Sequence, residues 1–208
     1  MSETLTLYRA PYSTNVERVA LALAHKGLPV HSVVIDYADR SAVERISGQP
    51  LVPVLVDGEQ VVSDSARILE YLERRAPDPP LFPREPADRA TMDIFIDWFN
   101  RVWKAPPNQI EAELRADGPD RPLIAGLGGL MQERLSLFNA LLEGRDFLFG
   151  PSLSAADCVA FPFLKFALVR DPRDDELFHR ILDEHQTLTG AHGALERWIR
   201  RVDALPRA

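Results

Sequence analysis

The sequence predicts two domains: an α/β domain with a mixed four-stranded sheet, followed by an all-helical domain. Three observations support this prediction. Strand-like and helix-like patterns alternate over residues 1–76, five prolines fall within residues 77–86, and almost no strand pattern follows in residues 87–208. Because proline interrupts helices and restricts the residue before it, we expect residues 77–86 to form an ordered linker between the two domains.

The predicted α/β domain has the element order βαβαββα. The expected strands are 4–8, 30–36, 53–56 and 60–62, and the expected helices are 14–26, 40–47 and 65–75. Apolar residues at helical spacing predict the first helix, and Gly27 is placed to end it. The dipeptide Asp57-Gly58 between two apolar runs predicts a hairpin. One right-handed crossover and one hairpin then give a mixed sheet with helices on both faces.

The remainder of the chain carries helical patterns. The expected helices are 87–105, 121–143, 154–168, 175–186 and 190–202. The aromatic residues of DIFIDWFNRVW recur at helical spacing, which indicates core packing, with contact to a substrate as the alternative for one or two of them. The run Gly126-Leu-Gly128-Gly129 lacks the third spaced glycine and the preceding strand of a phosphate-binding loop, so we interpret it as close helix packing or local flexibility.

Composition excludes several classes of function. The chain of 208 residues has a net charge of −7, which argues against binding to nucleic acid or to an anionic membrane. No apolar run approaches the length of about 18 residues that a membrane span needs, and the start MSETLTLYRAPYS lacks the pattern of a secretory signal. Cys158 is the single cysteine, so we expect no internal disulfide, a buried apolar role for its thiol, and a reducing cytosolic compartment. No metal site is expected from the five histidines.

Three residues that favour helix N-caps stand in a row in PYSTNVERV, at the start of the first predicted helix. One helix needs one cap. Thr14, with Glu17 three residues later, fits the capping-box pattern, so we expect Thr14 to cap the helix. Ser13 would then lie just outside, with its hydroxyl near the positive helix end, where a bound thiolate is stabilised. Asn15 would supply a second donor.

Two further dipeptides have both a structural and a functional interpretation. Val52-Pro53 opens a predicted strand, either as an ordinary trans proline or as a cis peptide that turns the backbone of Val52 toward an extended ligand. Asp64-Ser65 precedes a helix. It either caps that helix or binds a zwitterion, with the helix amides and Ser65 on a carboxylate and Asp64 on an ammonium.

Together and in this order, these features resemble the cytosolic glutathione transferases, which join a thioredoxin-like domain to an all-helical one. The resemblance covers the whole chain. It is most specific in QPLVPVLVDGEQVVSDSARILEYLERRAP, with its Val-Pro, apolar strand, Asp-Ser and Ile-x-x-Tyr-Leu. In FLFGPSLSAADCVAFPFL, Ser154 and Asp157 match a capping box that the family carries at the start of a buried helix, where its role is structural.

The resemblance implies glutathione as co-substrate and no metal. It implies that Pro53 follows a cis peptide and that Val52 pairs with the cysteinyl backbone of glutathione. Asp64 and Ser65 would bind the γ-glutamyl end, and Gln49 would reach the glycine carboxylate.

The resemblance assigns binding of the glutathione thiolate to Ser13, which falls where serine-type members keep the hydroxyl that performs this role. Ser13 and Asn15, followed by Arg18, are similar to a bacterial subgroup in which a hydroxyl and an Asn both contact the thiol. A serine in place of cysteine argues against disulfide exchange through a protein thiol. Tyr8, near the position of the catalytic hydroxyl in tyrosine-type classes, is the second candidate, and Tyr12 is the third.

We therefore expect a transferase that activates the glutathione thiolate through Ser13 for attack on a small electrophile, as in detoxification. The alternatives are a non-enzymatic binding module of the same fold and a glutathione-dependent isomerase or dehalogenase. These stay open, as does the use of another thiol, because the motifs lie in the first domain and specificity in the second. The resemblance also implies a homodimer with helices 65–75 and 87–105 at its interface.

Overall fold

The structure, a computed structural model, describes residues 4–208. The chain forms two compact units that are not consecutive in sequence. The first unit holds the chain up to Pro83 together with Leu153–Pro162 and Leu205–Ala208, and the second holds Arg84–Ser152 and Phe163–Ala204. The boundary after Pro83 falls within the proline-rich segment, and the domain limits expected from the sequence stay a prediction.

The first unit is built on a four-stranded sheet in the order β2–β1–β3–β4. The strands are β1 (Leu5–Arg9), β2 (Val30–Val34), β3 (Val54–Asp57) and β4 (Gln60–Ser63). Strand β1 is parallel to β2 and antiparallel to β3, and β3 and β4 form a hairpin. Gly58 turns that hairpin at φ 57°, a left-handed conformation that glycine adopts without strain. The mixed sheet predicted from the sequence is confirmed.

Three helices of the first unit accompany these strands: two connect strands and the third follows β4. They are α1 (Thr14–His25), α2 (Ser41–Ser47) and α3 (Ser65–Arg75). Gly27 lies two residues beyond the end of α1 and has φ 61°. The N–H of Leu28 donates to the carbonyl of Leu23, and the N–H of Gly27 donates to that of Ala24. This pair of bonds is a Schellman motif, so the predicted glycine cap is confirmed.

Lys26 ties the end of α1 to the start of the linker. Its side chain is fully buried, and Nζ donates to the carboxylate of Glu73 (2.7 Å) and to the carbonyl oxygens of Ala76 (2.6 Å) and Pro79 (3.0 Å). Because an ammonium group has three donors, these bonds satisfy it completely. Glu73 also accepts the N–H of Leu81 (2.9 Å). The cluster therefore fixes the start of the linker against α1 and α3.

The rest of the chain is helical, as predicted. The helices are α4 (Pro86–Trp98), α5 (Ala105–Leu114), α6 (Arg121–Leu141), α7 (Ala155–Leu164), α8 (Leu177–Glu184) and α9 (Gly193–Asp203). A π-helical turn, Phe99–Trp103, follows α4. The sequence patterns do not predict α5, because Pro106 and Pro107 suggest an interruption, but proline is tolerated in a first helical turn. Within residues 4–208, no helix is both long and apolar enough to cross a membrane.

The aromatic residues around the π-helical turn pack in the core of the second unit, as their spacing predicts. Phe99 and Trp103 are fully buried and stack with 4.5 Å between ring centroids. Phe138 of α6 and Phe163 of α7 meet Trp103 edge-on. Edge-on and stacked ring pairs add to the stabilisation that burial alone provides, so this stripe has a packing role.

The glycine run in α6 contains one residue that packing requires. A Cβ atom at Gly128 would lie 2.4 Å from Nδ1 of His185, whereas Cβ atoms at Gly126 and Gly129 would meet open space. The close-packing interpretation is therefore confirmed at Gly128.

Helix α7 begins with the predicted capping contact. The hydroxyl and the N–H of Ser154 both donate to Oδ2 of Asp157, over 2.6 Å and 2.9 Å. Cys158 follows and is fully buried, and burial raises the pKa of its thiol. Its predicted role as a buried apolar residue is confirmed.

Candidate functional site

Three segments meet at one edge of the sheet because of the strand register. Tyr8 of β1 lies opposite Val54 of β3, and Val54 lies opposite Ser63 of β4. In antiparallel pairing, the residues that follow β1, precede β3 and follow β4 leave the sheet at the same end. That edge therefore brings together the loop before α1, the proline that opens β3 and the residues that begin α3.

Ser13, and not Thr14, is the N-cap of α1. Its Oγ accepts the N–H of Val16 (3.4 Å), and its carbonyl accepts the N–H of Glu17 (3.0 Å). Thr14 is the first residue of the helix and is buried. The carboxylate of Glu17 accepts from the guanidinium of Arg207 (3.0 Å). The predicted capping box was wrong, because with Ser13 as the cap Glu17 is the fourth residue of the helix and not the third, which a capping box requires.

The corrected cap keeps Ser13 in the candidate site. A serine hydroxyl accepts through its oxygen lone pairs and donates through its proton, so the capping bond leaves the proton to donate to a ligand. The side chain is half-buried and stands at the positive end of a helix of 12 residues. An anion placed there would meet the hydroxyl together with the first amides of α1.

The other candidates for the thiol differ in their surroundings. Asn15 is half-buried in the first turn of α1. Tyr12 precedes Ser13 with φ 59°, which is unusual for a residue other than glycine, and 41% of it is exposed. Tyr8 packs against an apolar cluster that includes Ile35 and Val54. The ring of Tyr8 therefore has a packing role of its own.

Val52 and Pro53 lead into β3. The peptide bond between them is cis. Pro53 is buried, and Val52 packs on the same apolar cluster as Tyr8. Val52 lies just before Val54, the first residue of β3 in register with β1, so an extended ligand beside it would prolong the strand pairing.

Asp64 is the N-cap of α3. Its Oδ1 accepts the N–H of Ala66 (2.9 Å) and that of Arg67 (3.1 Å). Because both bonds use one oxygen, the other carboxylate oxygen keeps its capacity to accept from a cation. The backbone of Asp64 has φ 75° and ψ 124°, and strained conformations of this kind cluster at functional sites.

Ser65 is held by a buried arginine. Nη1 of Arg18 donates to Oγ of Ser65 (3.3 Å), and Nε donates to the carbonyl of Val159 in α7 (3.1 Å). Burial lowers the pKa of Arg18 to about 9, and the nearby Asp64 and Cys158 oppose that shift. The guanidinium therefore stays charged at neutral pH. Because Ser65 accepts from Arg18, its own proton can be donated to a carboxylate.

Gln49 is engaged within its own loop. Oε1 accepts the N–H of Leu51 (2.7 Å), and Nε2 donates to the hydroxyl of Ser47 (2.9 Å) and the carbonyl of Leu51 (3.0 Å). A ligand carboxylate would have to compete with these bonds, and the predicted contact stays a prediction.

Arg40 is a residue at this edge that the sequence motifs did not single out. It lies between β2 and α2, and its guanidinium donates to the carbonyl of Pro50 (3.1 Å) and packs over the ring of Tyr37 (5.2 Å). Tyr37 donates to the carbonyl of Pro11 (3.0 Å). Because β2 is parallel to β1, a basic residue after β2 reaches the same edge as the loop before α1. That topological position is the signal that could have identified it.

The fold and the site together define a class: a two-part protein with a thioredoxin-like unit, whose sheet edge offers a helix N-terminus to an anion, and a helical unit. Comparison with protein families gives the same assignment. Residues 7–80 match the family model for the glutathione S-transferase N-terminal domain, and residues 109–201 match that for the C-terminal domain. The chain therefore belongs to the cytosolic glutathione transferase family, and the family and enzyme class expected from the sequence are confirmed.

Individual relatives differ in sequence identity and in how much of the chain they match. FtsZ-localized protein A of Caulobacter vibrioides is 29% identical over 172 residues, which cover 77% of this chain and 75% of that protein. Glutathione S-transferase Z1 of Arabidopsis thaliana is 42% identical over 93 residues, or 42% of each chain. The solved structure of the Tau class glutathione S-transferase MiGSTU from mango, Mangifera indica, has a TM-score of 0.80 at 19% identity, and the match covers 98% of this chain and 90% of that one. The likeness to that structure supports the fold alone.

Proposed function

We propose that this chain binds glutathione at the edge of the sheet and activates it as a thiolate held by Ser13, for attack on a small electrophile. The observation that carries the proposal is the place of Ser13 as N-cap of α1, with a proton to donate, at the edge where the other two motifs also lie. A free thiol has a pKa of about 8.5, and lowering it by about two units takes about 2.7 kcal/mol. A hydrogen bond to a charged group together with a helix N-terminus is sufficient for that.

The γ-glutamyl end of glutathione would lie at the start of α3. Ser65, which is held by the charged Arg18, would donate to the γ-glutamyl carboxylate. The second carboxylate oxygen of Asp64 would accept from the γ-glutamyl ammonium. Val52 would pair with the cysteinyl backbone beside the cis-proline Pro53. These assignments follow the chemistry of each group, since the site offers a cation for the anion and an anion for the cation.

Two contacts complete the proposed binding mode. Asn15 would be the second donor to the thiolate, because it lies in the same helical turn as the cap. The glycine carboxylate would bind near Arg40, whose charge lies at the same edge of the sheet as the other motifs. Gln49 would be a further donor after giving up the hydrogen bonds within its own loop. Arg40 is favoured by its permanent charge.

The proposed mechanism is activation and positioning, without a covalent bond to the protein. The thiol proton passes to solvent on binding, and the hydroxyl of Ser13 and the amides of α1 stabilise the sulfur anion. The thiolate then forms a carbon–sulfur bond to the electrophile, and the leaving group departs with its electron pair. The electrophile is not assigned.

The test is a pH titration of the ultraviolet absorbance of the bound thiolate. We expect the thiol in the complex to ionise about two pH units below free glutathione, and we expect turnover of an activated aryl halide to follow the same ionisation. A bound thiol that titrates like the free one would refute the proposed activation.

A second candidate function, a non-enzymatic binding module, is favoured by one relative. FtsZ-localized protein A is named for its localisation and not for a transferase activity. Retention on a glutathione affinity column, with elution by free glutathione and turnover of an electrophile, would favour the transferase. Absence of retention would favour the binding module.

We further propose a cytoplasmic homodimer with α3, α4 and the following π-helical turn at its interface. Ile94 on α4 is 70% exposed, and a large apolar side chain on an interface helix would be covered by a second subunit. Analytical ultracentrifugation tests this proposal, and a monomer at micromolar concentration would contradict it.

A further inference from the structure

The segment Leu205–Ala208 folds back onto the first unit. The N–H of Ala208 donates to the carbonyl of Ala20 in α1 (3.1 Å), and Nη1 of Arg9 in β1 donates to the carbonyl of Ala208 (2.9 Å). These bonds hold the segment along α1. We call Leu205–Ala208 the return segment.

The return segment brings a cation to the first turn of α1. Nη2 of Arg207 donates to Oε1 of Glu17 (3.0 Å), and the side chains are 23% and 17% exposed. The guanidinium also packs over the ring of Phe161 in α7 (5.2 Å). The ion pair is therefore shielded from solvent on several sides, where charges interact more strongly than at a free surface.

The position of Glu17 matters because of its distance from Ser13. The N–H of Glu17 donates to the carbonyl of Ser13, so the two residues are one helical turn apart. A carboxylate in the first turn is favourable for the helix itself. It opposes any second negative charge bound at the same helix end, because like charges disfavour each other's charged form.

We propose that Arg207 is a positioning residue for the thiolate site: by pairing with Glu17, it neutralises a carboxylate in the first turn of α1 and keeps the N-terminus of that helix receptive to an anion. This inference rests on the proposed function. It assigns a role in the chemistry to the return segment, which contains none of the motifs at the sheet edge.

Other charged groups around α1 have hydrogen-bond partners of their own. They are Arg9 on β1, Arg18 on α1, Asp64 at the start of α3 and Asp157 on α7 beside the buried Cys158. The two aspartates accept backbone N–H groups at the starts of α3 and α7, and the two arginines donate to Ala208 and Ser65. The charge of Glu17, in contrast, is balanced from the return segment.

The experiment measures the pKa of bound glutathione in three variants. R207Q removes the charge of Arg207 from beside the carboxylate and is expected to raise that pKa by about half a unit. E17Q leaves the cation and is expected to lower it by a similar amount. E17Q/R207Q removes both charges and is expected to return it to the wild-type value. R200Q is the matched control, because Arg200 on α9 pairs with Glu196 (2.8 Å) on an exposed surface, and it should leave the pKa unchanged.

Opposite shifts of the two single variants distinguish charge from structure. If the pair only holds α1 in place, both single variants should shift the pKa of bound glutathione in the same direction, and the double variant should not restore it. This result would overturn the inference. R207K, which keeps the charge, should titrate like the wild type. An unshifted pKa in R207Q, with a normal thiolate signal in the wild type, refutes the inference alone. Absence of any thiolate signal in the wild type refutes the proposed function and the inference together.

Discussion

Replacing Lys26 by methionine should destabilise the first unit strongly. The substitution removes three hydrogen bonds from a charged donor and leaves Glu73 without its cation. Breaking a buried ion pair from one side typically costs about 3–5 kcal/mol. Because Glu73 is still 19% exposed and keeps its bond to Leu81, we expect the lower end, about 3 kcal/mol. For a chain of this size, that corresponds to a melting temperature lower by roughly 6–12 °C.

Urea denaturation and thermal melts of three variants measure this effect. K26M/E73Q should recover part of the loss, since the uncompensated carboxylate is gone while the amide oxygen still accepts from Leu81. R74M is the control on the same helix, because the Arg74–Glu70 pair is exposed and should change stability by less than about 0.5 kcal/mol. A K26M variant as stable as R74M would refute the reasoning.

Three further predictions concern single residues. Asp64→Asn keeps the helix cap and tolerates the positive φ but removes the charge. Calorimetry should therefore show glutathione affinity reduced about tenfold or more, while the melting temperature stays unchanged. Unchanged affinity would exclude the ammonium contact. Gly128→Ala should lower the free energy of unfolding by about 1–3 kcal/mol in urea denaturation, because its Cβ would meet His185. Gly129→Ala should instead raise the free energy of unfolding by up to about 1 kcal/mol. Equal effects of the two substitutions would contradict the packing account. Burial lowers the pKa of His25. As the pH falls below about 6.5, the unfolded state therefore takes up a proton before the folded state does, and stability decreases with acidification. His25→Asn should flatten the decline of melting temperature between about pH 7 and pH 5, and a decline parallel to that of the wild type would disprove this.

The mixed four-stranded sheet could be predicted because its signals are local. Alternating apolar residues, the Asp57-Gly58 turn and Gly27 each act over a few residues. Together they leave few topologies for a mixed sheet. The register then aligns the ends of the strands, so motifs chosen by residue type alone came to lie at one edge.

The cap of α1 could not be predicted, because Ser13 and Thr14 have similar capping preferences. The ion pair beside this cap joins Glu17 to Arg207, which lies 190 residues away in the chain. Arg18 and Val159 are separated by 141 residues, so the support of Ser65 is equally non-local. Contacts of this kind have no signature in residue spacing, which is why the sequence did not predict that Arg18 holds Ser65 or that Arg207 pairs with Glu17.

The most direct test of the central claim is the pKa of bound glutathione in Ser13→Ala, with Ser13→Thr as the matched control. Alanine removes the donor, whereas threonine keeps both the hydroxyl and the helix cap. The account predicts that the thiol in the Ser13→Ala complex returns toward the free value of about 8.5, while Ser13→Thr stays close to wild type. A bound thiol with the same pKa in Ser13→Ala as in the wild type would contradict it.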